Sequence, residues 1–253
     1  MAIFDSHAHY CDERFDLDRD ELLSSMPSNG VCGIINVPSD LAESVQCIEL
    51  ARKYDFMWAA AGVHPQLATT WNEGSEAQLR MLLTDPKCVT LGETGLDYVV
   101  GDVPKNVQKA VFIKQLEIAK DLNKPVIIHD REAHGDTMEI LKKSGCHGVM
   151  HCFSGSAEMA RQLVDMGWYI SFPGVVTFKN ARKSHEAVLA VPLERILIET
   201  DAPYLTPEPF RGKRNDSTLC KYTCTVMAGL FGMTVEDFEH LTAENAARCF
   251  LLS

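Results

Sequence analysis

The stretch Asn106–Asp130, NVQKAVFIKQLEIAKDLNKPVIIHD, carries a helix, a stop and a buried strand in immediate succession. Val107, Ala110, Val111, Leu116, Ile118, Ala119 and Leu122 recur at spacings of three and four, with Lys and Gln between them. That period predicts an amphipathic helix over Asn106–Asn123. Asn123 ends it, and Pro125, which cannot continue a helix, restarts the chain as a strand. Val126-Ile127-Ile128 is apolar without alternation, as expected of a parallel strand covered on both faces. The strand then ends on two ionisable residues, His129 and Asp130.

Working outward, the same unit repeats. Strands are expected over Ala2–His9, Val31–Val37, Phe56–Val63, Val89–Thr94, Val126–Asp130, Gly148–Phe153, Trp168–Pro173 and Ile196–Thr200. Helical periodicity recurs in Glu132–Lys143, Ala157–Met166 and Val235–Cys249, the last preceded by a capping arrangement of Thr234 with Asp237. Strand and helix in alternation imply an α/β fold with a parallel sheet. Eight strands in 253 residues favour a single (β/α)8 TIM barrel spanning residues 1–253 over an open sheet. Gly92-Glu93-Thr94-Gly95-Leu96-Asp97 is not a phosphate-cradling glycine loop of the dinucleotide kind.

Composition sets further bounds. Nine scattered cysteines without a Cys-x-x-Cys pair read as reduced, mostly buried thiols and not as a disulfide framework or zinc cluster. No apolar run approaches a membrane span, and the first residues lack a basic, then apolar, leader; a cytoplasmic protein is expected. A net charge of −11 argues against loose wrapping of duplex DNA, which relies on many Lys and Arg contacts. It leaves anionic substrates open, because bound metal ions can dominate the local field.

The placement of ionisable residues carries the chemistry. Asp5, His7 and His9 close the first expected strand, His64 the third and Glu93 the fourth. His129 and Asp130 close the fifth, His151 the sixth and Asp201 the eighth. All fall on the C-terminal rim, where barrel active sites are built. His7 and His9 share a face of one strand and can converge on one ion. Joined by Glu93, His129, His151 and Asp201, they offer more ligands than one four-coordinate ion needs, which points to two divalent metals with Glu93 as the natural bridge. Imidazole with carboxylate suits Zn2+, Mn2+, Fe, Co or Ni, and with fewer nitrogens Mg2+.

Six motifs in order, Asp-Ser-His-Ala-His from Asp5, Gly-Val-His-Pro from Gly62, Gly-Glu-Thr-Gly-Leu-Asp-Tyr from Gly92, Pro-Val-Ile-Ile-His-Asp-Arg-Glu-Ala from Pro125, His-Cys-Phe-Ser-Gly-Ser from His151 and Glu-Thr-Asp-Ala-Pro-Tyr-Leu from Glu199, make the chain resemble the TatD family of metal-dependent deoxyribonucleases. The resemblance implies His7 and His9 on one metal, Glu93 bridging, and His129 and His151 on the second. It implies that Asp201 completes the first site and contacts the attacking water, so that Asp201 and Glu93 are catalytic. His64 is implied to lie beside the substrate phosphate, with Lys179, Arg211, Lys213 and Asn215 in segments lining the substrate side. The implied reaction is hydrolysis of DNA phosphodiesters, taken here as exonucleolytic on single strands or strand ends, with no obligate protein partner evident. One departure stands out: after Arg211-Gly212-Lys213-Arg214-Asn215 the family commonly continues Glu-Pro or Gln-Pro, whereas this chain has Asp216-Ser217. That leaves a hydrolase of esters, amides or aminoacyl-tRNA as an alternative, with a non-catalytic metal-binding module further behind.

Other candidates read more plainly. His134, His185 and His240 lie off the rim, as surface or satisfied histidines, and His147 precedes the sixth strand, at the stability end. Glu132 suits a helix N-terminus, and Arg131 is open. Asp97 and Tyr98 either support the ligands or meet substrate, and Asp5 is expected to support the two histidines that follow it or to serve barrel packing.

Overall fold

The computed structural model describes residues 2–252. Its strands are β1 (Ile3–Ala8), β2 (Val31–Asn36), β3 (Met57–Ala61), β4 (Cys88–Asp97), β5 (Val126–Arg131), β6 (Gly148–Met150), β7 (Tyr169–Phe172) and β8 (Ile196–Ile198). They pair in sequence order, every pair parallel. The ring closes between β1 and the residues after β8, where Asp201 N–H donates to the His7 carbonyl at 2.9 Å and His9 N–H to Ala202 at 2.7 Å. This is the expected (β/α)8 barrel.

Helices cover the outside: α1 (Arg19–Ser25), α2 (Leu41–Ala51), α3 (Ser75–Leu82), α4 (Lys105–Asp121), α5 (His134–Ser144), α6 (Ala157–Asp165), α7 (Arg182–Val188), α8 (Cys220–Phe231) and α9 (Val235–Cys249). None is long and apolar enough to cross a membrane. α9 has the limits expected from its periodicity, and Thr234 Oγ1 accepts from Asp237 N–H at 3.1 Å, as a cap should. The nine cysteines are all free thiols.

Two strands depart most from expectation, while β3 and β8 end two residues early and the others hold to within a residue at each end. β6 is shorter, leaving His151 just beyond its end. β4 runs three residues past Thr94, because Gly92 and Gly95 extend the strand at φ of 144° and 148° and do not turn it. Gly95 is there for contact: a Cβ on it would lie 1.9 Å from the His129 carbonyl oxygen. The two glycines thus let β4 and β5 approach closely where Glu93 and His129 meet.

The larger part of the core lies between strands and helices. A smaller cluster gathers Phe4, Ile35, Ala60, Ile127, Val149 and Leu197, one from each of six strands. Side chains from six strands of a ring can meet only inside it. Phe250, at the end of α9, stacks on Phe4 at 6.4 Å, and strand-start residues Trp58, Val89 and Tyr169 pack alongside. α9 therefore plugs the end opposite the ionisable rim.

Asp5 fastens the closure. It is fully buried; Oδ1 accepts from the Thr200 and His7 amides, and Oδ2 from the hydroxyls of Thr200 and Ser217, both at 2.6 Å. Burial pushes its carboxyl up to about 6 despite those hydrogen bonds. Removing it orphans several buried donors at once. Asp5→Ala is expected to lose about 3 kcal/mol in urea unfolding, with Asp5→Asn losing less, since each buried unsatisfied group costs roughly 1–3 kcal/mol. Equal stability of Asp5→Ala and the parent would show that Asp5 does not hold the seam.

Candidate metal centre

At the C-terminal rim six side chains from five strand ends converge on Glu93. It projects from β4 and is 3 % exposed. Its two oxygens address opposite sides. Oε1 lies 2.6 Å from His129 Nδ1 and 2.7 Å from His151 Nε2. Oε2 lies 3.3 Å from His7 Nε2 and 3.9 Å from His9 Nε2. Asp201 Oδ1 completes the second side, 3.3 Å from His9 Nε2 and 3.7 Å from His7 Nε2. Three groups, His7–His9–Asp201, His7–Glu93–His151 and His64–Glu93–His129, each bring their ligand atoms within 4.8 Å of one another.

Whether these residues suit a metal can be tested on His9. Its Nδ1 lies 2.8 Å from the Val37 carbonyl, so that nitrogen carries a proton. In the neutral ring Nε2 is then a lone pair, pointing at Asp201 and at His7 Nε2, which is 3.1 Å away. Lone pairs and carboxylate oxygens converging in a buried site repel unless a cation lies between them. A divalent ion bound by imidazole and carboxylate meets that need.

Without a metal, protons take that part. Burial disfavours the charged ring of His9, but the hydrogen bond and charge of Asp201, with Glu93 behind it, raise it to about 9. His151 and His129 are also raised against burial, chiefly by Glu93. Glu93 and Asp201 are held well into the ionised range by the surrounding histidines, despite burial.

His64 behaves differently. Its Nδ1 accepts from the Gln66 amide at 3.2 Å, so the neutral ring carries its proton on Nε2, 3.6 Å from Glu93 Oε1. Burial drives its pKa down to about 3, and the ring is neutral near pH 7. It presents an N–H to the cavity, a hydrogen-bond donor in place of a lone pair.

His129 and His151 have carboxylates behind them. Asp97 is 1 % exposed, with Oδ2 3.4 Å from His129 Nε2. Gln66 Nε2 donates to Asp97 at 2.7 Å, as do the Val99 and Val100 amides at 2.9 and 3.0 Å. Tyr98 turns away, its hydroxyl donating to Asp136 at 2.6 Å. Glu199, fully buried beyond β8, is the residue that the sequence reading passed over. Its Oε1 accepts from Cys152 N–H at 2.7 Å and lies 3.4 Å from His151 Nδ1, close enough for charge contact though not aligned as a hydrogen bond. It sits two residues before Asp201, the separation that puts both on one face of a strand, and that spacing was the available signal.

The expected substrate-side residues divide. Lys179 and Arg211 are exposed, and the Arg211 guanidinium lies 4.4 Å over Phe178. Lys213 is exposed with its amine 5.6 Å from the Phe210 ring. Asn215 requires correction. It is fully buried, with Nδ2 donating to the Thr200 and Tyr204 carbonyls at 3.0 and 2.7 Å and Oδ1 accepting from Asp216 N–H. Its amide is spent on folding the loop and does not reach a substrate. The Asp216-Ser217 departure belongs to the same buried support, since Ser217 Oγ donates to Asp5. Arg214 is taken up by Asp18 at 2.5 Å. Of the off-rim histidines, His134 Nδ1 pairs with Asp130 and His185 Nε2 with the Val176 carbonyl, while His240 is exposed.

Comparison with known proteins shows the family. The family described as TatD related DNase matches residues 4–251. The uncharacterized metal-dependent hydrolase YabD of Bacillus subtilis is 44 % identical over 99 % of this chain and 100 % of its own. A Cronobacter turicensis protein named 3′-5′ ssDNA/RNA exonuclease TatD is 35 % identical over 98 % of both chains. Among solved structures, the TatD homologue YJJV of Escherichia coli K12 superposes with a TM-score of 0.92 at 28 % identity, covering 99 % of this chain and 98 % of that one.

Two outcomes follow for the centre. Because His9 holds a proton to about pH 9 and metal ligands must be deprotonated, Mn2+ binding at pH 7 is expected to release protons and to tighten as pH rises toward 9. Calorimetry in buffers of different ionisation enthalpy reads this; a heat independent of buffer would contradict it. Glu199→Gln is expected to weaken Mn2+ binding about tenfold by loosening His151. Unchanged affinity would remove Glu199 from the centre's support.

Proposed function

The chain belongs to the TatD family and is a metal-dependent hydrolase, and from that premise we propose that it is a nuclease trimming single-stranded DNA, or a free strand end, from the 3′ side. The observation that carries this reading is the two-sided Glu93 carboxylate. One oxygen faces His129 and His151, the other His7 and His9, an arrangement suited to two divalent ions bridged by one residue. The polarity and the single-stranded substrate rest on the name of the Cronobacter relative.

Divalent ions held by His7, His9, Glu93, His129, His151 and Asp201 would supply Lewis acidity for the phosphate oxygens and would make a water acidic enough to lose its proton near neutrality. Asp201 would orient the attacking water and accept its proton: its side chain is 17 % exposed where Glu93 is 4 %. With divalent ions in place of the ring protons beside it, Asp201 would stay ionised, so an acceptor is available at neutral pH. His64 Nε2–H donates to a phosphate oxygen without itself titrating near neutrality. Lys179, Arg211 and Lys213, exposed and outside any ion pair among the described residues, neutralise the neighbouring phosphates. Three such side chains serve one strand end well and are too few to wrap a duplex.

The test is hydrolysis of a 5′-labelled single-stranded oligonucleotide with Mg2+, Mn2+, Zn2+ or EDTA. The expected result is a ladder shortening from the 3′ end, abolished by EDTA. Asp201→Asn should lower its rate roughly 10³-fold, the range of a lost acid–base group. An intact oligonucleotide under every metal would overturn the nuclease reading and turn the search toward ester and aminoacyl substrates.

A further inference from the structure

Two cysteines outside the metal centre lie with their sulfurs 3.5 Å apart: Cys11, on the turn that follows His9, and Cys47, in the buried face of α2. Among the described residues no other cysteine pair is in hydrogen-bond contact. Cys47 is sealed from solvent, whereas Cys11 is partly exposed and lines a surface cleft of about 570 Å³. We propose that Cys11 and Cys47 form a thiol pair that a hydroperoxide converts to a disulfide, and that this disulfide loosens the neighbouring metal centre.

The chemistry is complete with hydrogen peroxide as oxidant. The Cys11 sulfur attacks one peroxide oxygen, the O–O bond breaks and one water leaves, giving a sulfenic acid. The Cys47 sulfur then attacks the Cys11 sulfur, the S–O bond breaks and a second water leaves. The two thiols give up two electrons and two protons, and the peroxide accepts both. The cleft selects this oxidant: Glu13, Asp16, Asp20, Glu21 and Glu49 outweigh Arg19 and Lys53 along its wall. A small neutral peroxide enters such a cleft freely, whereas glutathione disulfide, bulky and net negative at neutral pH, is disfavoured.

The link to the metal centre runs through Asn36, at the end of β2. Asn36 Oδ1 accepts from Tyr10 N–H at 2.8 Å, while its Nδ2 donates to Cys11 Sγ at 3.4 Å. One amide thus fixes the residue after His9 and the sulfur next to it. Drawing Cys11 Sγ from 3.5 Å to the ~2.05 Å of a disulfide pulls it off that amide and shifts the turn on which His9 is held.

The experiment treats the full-length, metal-free protein with hydrogen peroxide, alkylates the remaining thiols and maps cross-linked peptides by mass spectrometry. Oxidation of the exposed Cys32 shows that the reagent has acted. The expected result is a Cys11–Cys47 cross-link with peroxide, far less with glutathione disulfide, and none in Cys47→Ser or Cys47→Ala. Mn2+ affinity of the oxidised parent should fall about tenfold, as when the support of a ligand is lost, and recover with dithiothreitol. The affinity of either Cys47 variant should ignore peroxide. Free Cys11 and Cys47 thiols once Cys32 is oxidised, or a cross-link that leaves Mn2+ affinity unchanged, would overturn the proposal.

Discussion

A carboxylate buried among five imidazoles sets the terms for the rest of the structure. Glu93 sits nearly sealed from water, and a lone ionised carboxylate there would be prohibitively costly. It is tolerated because His7, His129 and His151 approach it closely and His9 and His64 lie just beyond. The barrel is what lets strand ends distant in sequence deliver those rings to one point. Its closing seam, the rim and the glycine approach of β4 to β5 all serve that convergence.

Behind the ligands lies a second ring of acceptors. Val37 holds His9 by its carbonyl, Asp97 faces His129, Glu199 faces His151, and Asp5 binds the seam under His7. The Val37 carbonyl fixes which nitrogen of His9 faces the centre, and the carboxylates of Asp97 and Glu199 bias the rings of His129 and His151 by charge; a metal site depends on such support as much as on the ligand itself. The protein is acidic overall, yet the net charge says little about the site, because the carboxylates here are arranged to hold cations. The exposed cations at the mouth are few, as befits a strand end.

Much of this was legible in the chain. Continuous apolar strands ending in His or acid placed the rim, and Val126–Asp130 alone read as a buried strand ending on a candidate ligand. The periodicity of Val235–Cys249 gave α9 with its cap. What escaped was set by contacts between distant segments. Gly92 and Gly95 suggest an early end to the strand, and only the nearness of the His129 carbonyl explains why glycines continue it. Asn215 lies in a basic run that looks like a phosphate loop, but its amide folds that loop from within. Ser217 seemed a change at the substrate, yet it acts on Asp5, whose side chain is more than two hundred positions away. The Glu199 side chain faces His151 only because β6 and the end of β8 meet at the rim.

The central claim, that Glu93 joins two divalent ions, is tested most directly by electron paramagnetic resonance of the protein titrated with Mn2+. A bridged pair predicts an exchange-coupled spectrum as the second equivalent binds, replaced in Glu93→Ala by the six-line signal of isolated Mn2+. A six-line signal from the fully loaded parent, with no coupling at any occupancy, would contradict it.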